Sequence, residues 1–205
     1  KPCDIEYANR VKPDLVGFIF ANTRRKISAA QAKQFRKALD AEISAVGVFV
    51  NEDISVITSL VQDGCIDMIQ LHGEEDADYI RRLCEICDVP VIKAVKVQTV
   101  EQIRQAAALP VDYLLLDTYR KGVLGGTGEA FDWELLREAK AAAGDTAEGE
   151  LFGKPYFLAG GLYAGNLREA AALGSYGLDV SSGIETDGSK DFDKMVEVVN
   201  IVRTC

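Results

Sequence analysis

Short apolar runs alternate with segments of helical periodicity along the whole chain. Seven runs rich in Val, Ile, Leu and Phe lack the strict alternation of a half-exposed strand, which indicates strands buried on both faces. These predicted strands are Leu15–Phe20, Ala45–Val50, Met68–Leu71, Val91–Val95, Tyr113–Leu116, Tyr156–Ala159 and Leu178–Val180. Strands of this kind belong to parallel sheets covered by helices, so the pattern predicts an α/β protein.

The intervening segments carry helix start signals and apolar stripes. Ser28 and Thr99 each precede a Gln by three residues, which predicts two capping boxes, and Asp132 is a predicted N-cap. The predicted strand starts are separated by 30, 23, 23, 22, 43 and 22 residues. Repeated βα units at this pitch favour a single (β/α)8 barrel domain over 1–205, rather than an open doubly wound sheet.

Two departures from an even repeat stand out. Residues 140–152, rich in Ala, Gly and acidic residues, fill the long interval and are predicted to be a surface insertion. Before the first predicted strand the chain is helical in pattern, so the count is one strand short of eight. A barrel that lacks a strand exposes two unpaired edges, and we therefore expect a further strand upstream of Lys1.

Composition narrows the classes of function. The 205 residues carry a formal net charge of −9, which argues against nucleic-acid or anionic-membrane binding. No apolar run approaches the ~20 residues of a membrane span, and no signal peptide opens the chain. Five cysteines, an odd number, indicate a reducing compartment and hence a cytoplasmic protein. Cys84 and Cys87 form a CxxC, but with one histidine and no second CxxC we predict packing cysteines and no metal site.

Glycines and hydroxyls follow the last two predicted strands, where barrels of this class often bind phosphate. Gly160 and Gly161 follow the first of these strands, and Ser181, Ser182 and Gly183 follow the second. Glycines let main-chain N–H groups approach an anion closely, and a short helix N-terminus adds donors. Tight βα turns would explain either motif alone, whereas the two together predict a phosphate site.

Polar side chains at other strand ends are candidates for chemistry. Asp117 follows Leu114–Leu116 and suits general-acid work, although a loop carboxylate is an equal alternative. Arg25 lies in a basic loop and could hold a carboxylate through two hydrogen bonds. His72 ends another strand, where a structural hydrogen bond and a catalytic role are equally compatible with the pattern. Lys93 could act in imine or electrostatic chemistry, but no flanking signature supports that role.

These motifs occur in an order that resembles the phosphoribosylanthranilate isomerase family. The motifs are Gly17–Phe20, Arg25 with Ser28, Val46–Asn51, Gln70–Gly73, Val91–Ala94, Leu114–Asp117, Gly125–Gly128 with Phe131–Trp133, Leu158–Leu162 and Asp179–Glu185. Each is weak alone, whereas the ordered set is specific and spans residues 4 to 191.

The resemblance implies a (β/α)8 barrel and an Amadori rearrangement of N-(5′-phosphoribosyl)anthranilate without metal or organic cofactor. By that resemblance Asp117 is the general acid, and Arg25 pairs with the anthranilate carboxylate. Gly161, Ser181 and Ser182 hold the phosphate, and Asp179 lines the sugar side of the pocket. The partner implied is a small phosphorylated substrate, and the protein is expected to be a monomer or a homodimer.

The general base of the family is a cysteine at the tip of its first strand. Cys3 lies 14 residues before Gly17, too close to match that cysteine, and Pro2 suits the first turn of a helix. We therefore expect the base and the missing strand upstream of Lys1. Two alternatives stay open: another phosphate-binding barrel enzyme, similar to indole-glycerol phosphate synthase, and a non-catalytic barrel that binds phosphorylated ligands. The single histidine argues against a metal-dependent ribulose-phosphate epimerase.

Overall fold

A computed structural model describes residues 1–118, 133–144 and 147–205. The helices are α1 Pro2–Val11, α2 Ala29–Ala38, α3 Ile54–Gln62, α4 Ala77–Cys84, α5 Val100–Ala107, α6 Trp133–Ala143, α7 Leu167–Ala171 and α8 Phe192–Arg203. The strands are β1 Leu15–Ile19, β2 Ser44–Phe49, β3 Met68–Leu71, β4 Val91–Val97, β5 Tyr113–Thr118, β6 Glu150–Leu151, β7 Lys154–Leu158, β8 Gly177–Leu178, β9 Glu185–Thr186 and β10 Ser189–Lys190. A short 3₁₀ helix spans Ser182–Ile184.

The described residues form two compact units. The first comprises 1–93 with 109–112, and the second comprises 94–108 with 113–205. In the first unit β1 pairs with β2, β2 with β3, and β3 with the first residues of β4, all in parallel. In the second unit β7 pairs in parallel with β5 and with β8, while β6 pairs with β7 in antiparallel orientation.

Burial explains why the apolar runs became strands. All five residues from Ala45 to Phe49 are buried, as are Leu114, Leu115 and Leu116, so both faces of these strands are covered. Helices cover them through apolar stripes, of which Phe35 in α2 and Ile103 in α5 are members. Ser28 and Thr99 cap α2 and α5 in the capping boxes that the sequence predicts.

Some predicted boundaries shift in the structure. Asp117 lies within β5 rather than after it, and Val180 lies outside β8, which ends at Leu178. The segment 140–152 begins inside α6, and Leu151 in β6 is fully buried against β7, so only its middle is exposed among the described residues. The helical pattern before β1 is confirmed as α1, with Pro2 in its first turn. No helix in the described ranges is long and apolar enough to cross a membrane.

Candidate active site

The second unit brings two carboxylates to one level at the strand ends. Leu116 pairs with Leu158 and Leu158 with Leu178. The residues that come next along the chain, Asp117 within β5 and Asp179 directly after β8, therefore lie at one level. Residues at one level of a parallel sheet share a face, and two strand spacings of about 4.8 Å separate these strands. Asp117 is half-buried, whereas Asp179 is exposed. The pair suits acid–base work on a ligand lying across β7.

The loop after β7 is built around two consecutive left-handed glycines. Gly160 and Gly161 have φ angles of 87° and 66°, a conformation that strains residues with a side chain. The carbonyl of Gly161 accepts a hydrogen bond from the Asn166 side chain at 3.0 Å, and the Asn166 oxygen accepts one from the amide of Tyr163 at 2.9 Å. Asn166 therefore fixes the shape of this loop at the start of α7.

The loop after β8 lies directly against the loop after β7. A Cβ atom on Gly183 would stand 2.0 Å from the Leu162 carbonyl oxygen and 2.8 Å from the Cα of Tyr163. The sequence singles out Gly183 as a phosphate ligand, and the structure adds a second requirement, close main-chain approach. Ser181 and Ser182 precede it, and both are exposed. Gly183 thus lies against the segment that directly follows Gly160 and Gly161.

A small hairpin that was not predicted from the sequence packs beside the second loop and holds it through Lys190. β9 and β10 pair in antiparallel orientation around Asp187 and Gly188, both with positive φ. Lys190 donates a hydrogen bond to the carbonyl of Ser181 at 2.9 Å and forms an ion pair with Glu185 at 3.1 Å. The Asp-Gly dipeptide is the signal that predicts such a turn.

In the first unit, Arg25 lies at the tip of the loop after β1. The loop is closed by a hydrogen bond from the amide of Ile27 to the carbonyl of Ile19 at 2.9 Å. Arg25 is half-buried, while the flanking Arg24 and Lys26 are exposed. This difference separates Arg25 from a fully solvated basic cluster.

His72 follows β3 directly and is half-buried. Its main-chain amide donates to the carbonyl of Phe49 at 2.8 Å, and its ring Nδ1 lies 3.0 Å from Nε2 of Gln70. An amide NH₂ group only donates, so Nδ1 accepts. The neutral imidazole therefore carries its proton on Nε2.

Lys93, the residue considered for imine chemistry, is one half of a buried ion pair. Its ammonium lies 2.7 Å from a carboxylate oxygen of Glu75 and donates to the carbonyl of Gly73 at 2.5 Å. Hydrogen bonds from Lys93 and from main-chain amides lower the pKa of Glu75 despite its burial. Lys93 is therefore a paired cation and not an available amine. No sequence signal marked Glu75.

The remaining predicted features are the glycine-rich loop before α6, the CxxC pair and the absence of a metal site. The Gly125–Gly128 loop, Phe131 and Asp132 fall outside the described residues. Cys87 is buried as predicted, but Cys84, the last residue of α4, is exposed. Burial raises the pKa of both thiols. Within the described ranges, no group of three His, Cys, Asp or Glu side chains is placed to hold a metal ion.

Known proteins match this chain over nearly its whole length. The family described as N-(5′-phosphoribosyl)anthranilate (PRA) isomerase matches residues 2–201. The enzyme of that name from Lachnoclostridium phytofermentans is 46% identical over 95% of this chain and 89% of its own length. The one from Endomicrobium trichonymphae is 45% identical over 98% of this chain and 93% of its own length.

The chain belongs to the phosphoribosylanthranilate isomerase family. It is an isomerase of tryptophan biosynthesis by that membership, and the sequence prediction of the family is confirmed.

Solved structures of family members match as well. The isomerase from Thermotoga maritima is 30% identical with a TM-score of 0.84, covering 100% of this chain and 95% of that one. The Thermus thermophilus enzyme is 28% identical with a TM-score of 0.82, covering 100% and 94%. Another matched isomerase holds reduced 1-(o-carboxyphenylamino)-1-deoxyribulose 5-phosphate, at 28% identity and a TM-score of 0.80. The fold class is the (β/α)8 barrel.

Proposed function

We propose that this protein converts N-(5′-phosphoribosyl)anthranilate to 1-(2-carboxyphenylamino)-1-deoxyribulose 5-phosphate by general acid–base catalysis. The observation that carries the proposal is the main-chain contact between the two glycine-containing loops, beside the level shared by Asp117 and Asp179. This arrangement offers an anion site next to an acid, which a phosphorylated sugar with a protonatable ring oxygen requires.

The phosphate is held by Gly160 and Gly161 from one loop and by Ser181, Ser182 and Gly183 from the other. Main-chain N–H groups and hydroxyls satisfy phosphate oxygens with neutral donors. Such donors accord with a protein whose net charge is −9, because a local cluster of N–H groups binds an anion without a basic face.

Asp117 donates a proton to the furanose ring oxygen, and the C1–O bond breaks as the anthranilate nitrogen lone pair forms an iminium. A base then removes the C2 proton, the electrons of the C2–H bond form a C1=C2 double bond, and the electron pair of the C=N double bond returns to the nitrogen. The enol that results tautomerises to the ketone. The substrate nitrogen serves as the electron sink, so the proposal includes no cofactor. Arg25 pairs with the anthranilate carboxylate, His72 contacts the substrate, and Asp179 lines the sugar side.

The remaining assignments are also proposals. We place the protein in the cytoplasm, because all five cysteines are free thiols. We propose that it acts as one barrel domain, since the family match runs through residues 2–201 without a break, and as a monomer or homodimer.

Replacement of Asp117 by Asn tests the acid assignment. The amide cannot donate a carboxylic-acid proton, so kcat is expected to fall about 10²- to 10⁴-fold. Affinity for the reduced product analogue should stay within about tenfold of wild type, because Asn keeps the shape of Asp. The matched control is Asp193→Asn, an exposed residue of α8, which should leave both quantities unchanged. An unchanged kcat for Asp117→Asn would overturn the acid assignment, and binding without turnover in the wild type would favour a non-catalytic barrel.

A further inference from the structure

A buried ion pair in the first unit has no part in the proposed chemistry. The side chain of Glu75 is 0% exposed and that of Lys93 is 8% exposed, with 2.7 Å between them. Each oxygen of the Glu75 carboxylate is used: one accepts from the amide of Asn51 at 2.8 Å, the other from the amide of Gly73 at 3.0 Å and from Lys93. Burying two charges is costly, so a gain in stability alone does not account for the presence of this pair.

The pair joins the chain segments that follow β2, β3 and β4. Asn51 follows β2 and has a φ angle of 48°, and a Cβ atom on Gly73 would stand 2.5 Å from its side-chain oxygen. Glu75 follows β3, and Lys93 belongs to β4. One carboxylate and one ammonium therefore hold three neighbouring segments at the carboxyl ends of parallel strands.

Three hydrogen bonds hold the main chain at His72 and Gly73. Its own amide is bonded to Phe49 in β2, the amide of the following Gly73 is bonded to Glu75, and the Gly73 carbonyl is bonded to Lys93. The ring is held separately, because Gln70 donates to Nδ1. His72 is thus held in backbone position and ring orientation.

We propose that Glu75 and Lys93 are positioning residues for His72, which hold its ring against Gln70 so that Nε2–H is the donor offered to substrate. The inference rests on the proposed function for the role of His72 toward substrate, but the orientation and tautomer are properties of the free protein. They can therefore be measured without any turnover.

The test uses the fact that His72 is the only histidine in the sequence. Protein labelled with ¹⁵N-histidine gives one imidazole pattern in a long-range ¹H–¹⁵N correlation spectrum, and the pattern distinguishes the Nε2–H from the Nδ1–H tautomer. The informative variant is Glu75→Gln with Lys93→Met. It removes both charges together, so no buried charge is left unpaired, and the variant is expected to fold.

In wild-type protein above neutral pH we expect the Nε2–H tautomer alone. In the folded double variant we expect a mixture of tautomers and a KM for the phosphoribosyl substrate raised about tenfold. The matched control removes another ion pair of the first unit, Arg36 with Asp67 at 3.2 Å, through Arg36→Met with Asp67→Asn. That variant should keep the wild-type imidazole pattern and KM.

Two results would overturn the proposal. One is an Nδ1–H tautomer in the wild type, and the other is a folded double variant with a pure Nε2–H tautomer and an unchanged KM. If the double variant unfolds, Gln70→Leu replaces it, because that change removes the ring contact and leaves the ion pair in place. A pure Nε2–H tautomer in folded Gln70→Leu would likewise refute the positioning of the ring. A wild-type protein with the expected tautomer but no turnover would refute the proposed function and support the positioning.

Discussion

Replacing Gly183 by Ala is expected to force apart the two loops assigned to phosphate. The added Cβ would stand 2.0 Å from the Leu162 carbonyl oxygen, whereas close C···O contacts are about 3.3 Å. The loops must therefore separate by roughly 1.3 Å, and the nearest atoms are main chain, so no side-chain rotation relieves the overlap. Overpacking of this kind costs about 1–3 kcal/mol of unfolding free energy.

The substitution should also have a functional cost of similar size. A displacement of about 1 Å in a positioning element lowers catalysis about 10²-fold, so kcat/KM should fall by that factor. Affinity for the reduced product analogue, measured by titration calorimetry, should fall at least tenfold, which is about 1.4 kcal/mol.

Gly17→Ala is the matched control for this substitution. Its Cβ would meet Val48 at 3.7 Å and Ile19 at 4.0 Å, ordinary contact distances, so stability and affinity should both hold. Wild-type affinity and melting temperature in Gly183→Ala would refute the argument that loop contact shapes the anion site.

Two further predictions concern charged residues of the first unit. Arg25→Ala should raise KM by roughly 10- to 150-fold, because it removes a charged hydrogen-bonded pair of about 1.5–3 kcal/mol. The control Arg24→Ala, at an exposed position, should leave KM unchanged. Equal steady-state constants for the two variants would refute the pairing of Arg25 with the anthranilate carboxylate. The pKa of Glu75 is lowered in the folded protein. Its ionised form therefore stabilises the fold at pH values above the ordinary Glu pKa of ~4.3, and this stabilisation is lost as the pH falls through the lowered pKa of the folded state. The free energy of unfolding in urea, measured between pH 7 and 3, should fall less in Glu75→Gln with Lys93→Met than in the wild type. An equal fall in both proteins would contradict the assignment of this pH dependence to Glu75.

Local sequence signals predicted the fold well, because its strands are buried on both faces. Met68–Leu71 is the observed β3, and the first predicted strand is one residue longer than β1. The errors come where hydrogen-bonding partners decide the end of a strand. β5 continues through Asp117 to Thr118, and β8 stops at Leu178, although the predicted strand runs to Val180.

The site was predictable where it depends on residue types next to strand ends, and missed where it depends on distant partners. The glycine and serine loops follow β7 and β8, and the close approach at Gly183 shows why a glycine stands there. Their role in phosphate binding stays a prediction. The pairing of Glu75 with Lys93 joins residues 18 positions apart through a folded loop, so no periodicity reveals it. Lys93 consequently resembled an available amine in the sequence, although its ammonium is paired in the structure.

The contact between Gly183 and the Leu162 carbonyl has a consequence for how new activities arise on this scaffold. A binding site made of main-chain atoms depends on the path of the backbone, so it changes little when the side chains around it are substituted. Strand-end side chains such as Asp117 and Arg25 are the parts that single substitutions can alter. If the proposed phosphate site is correct, a descendant of this protein would acquire a different reaction more readily than it would lose the ability to bind phosphorylated substrates.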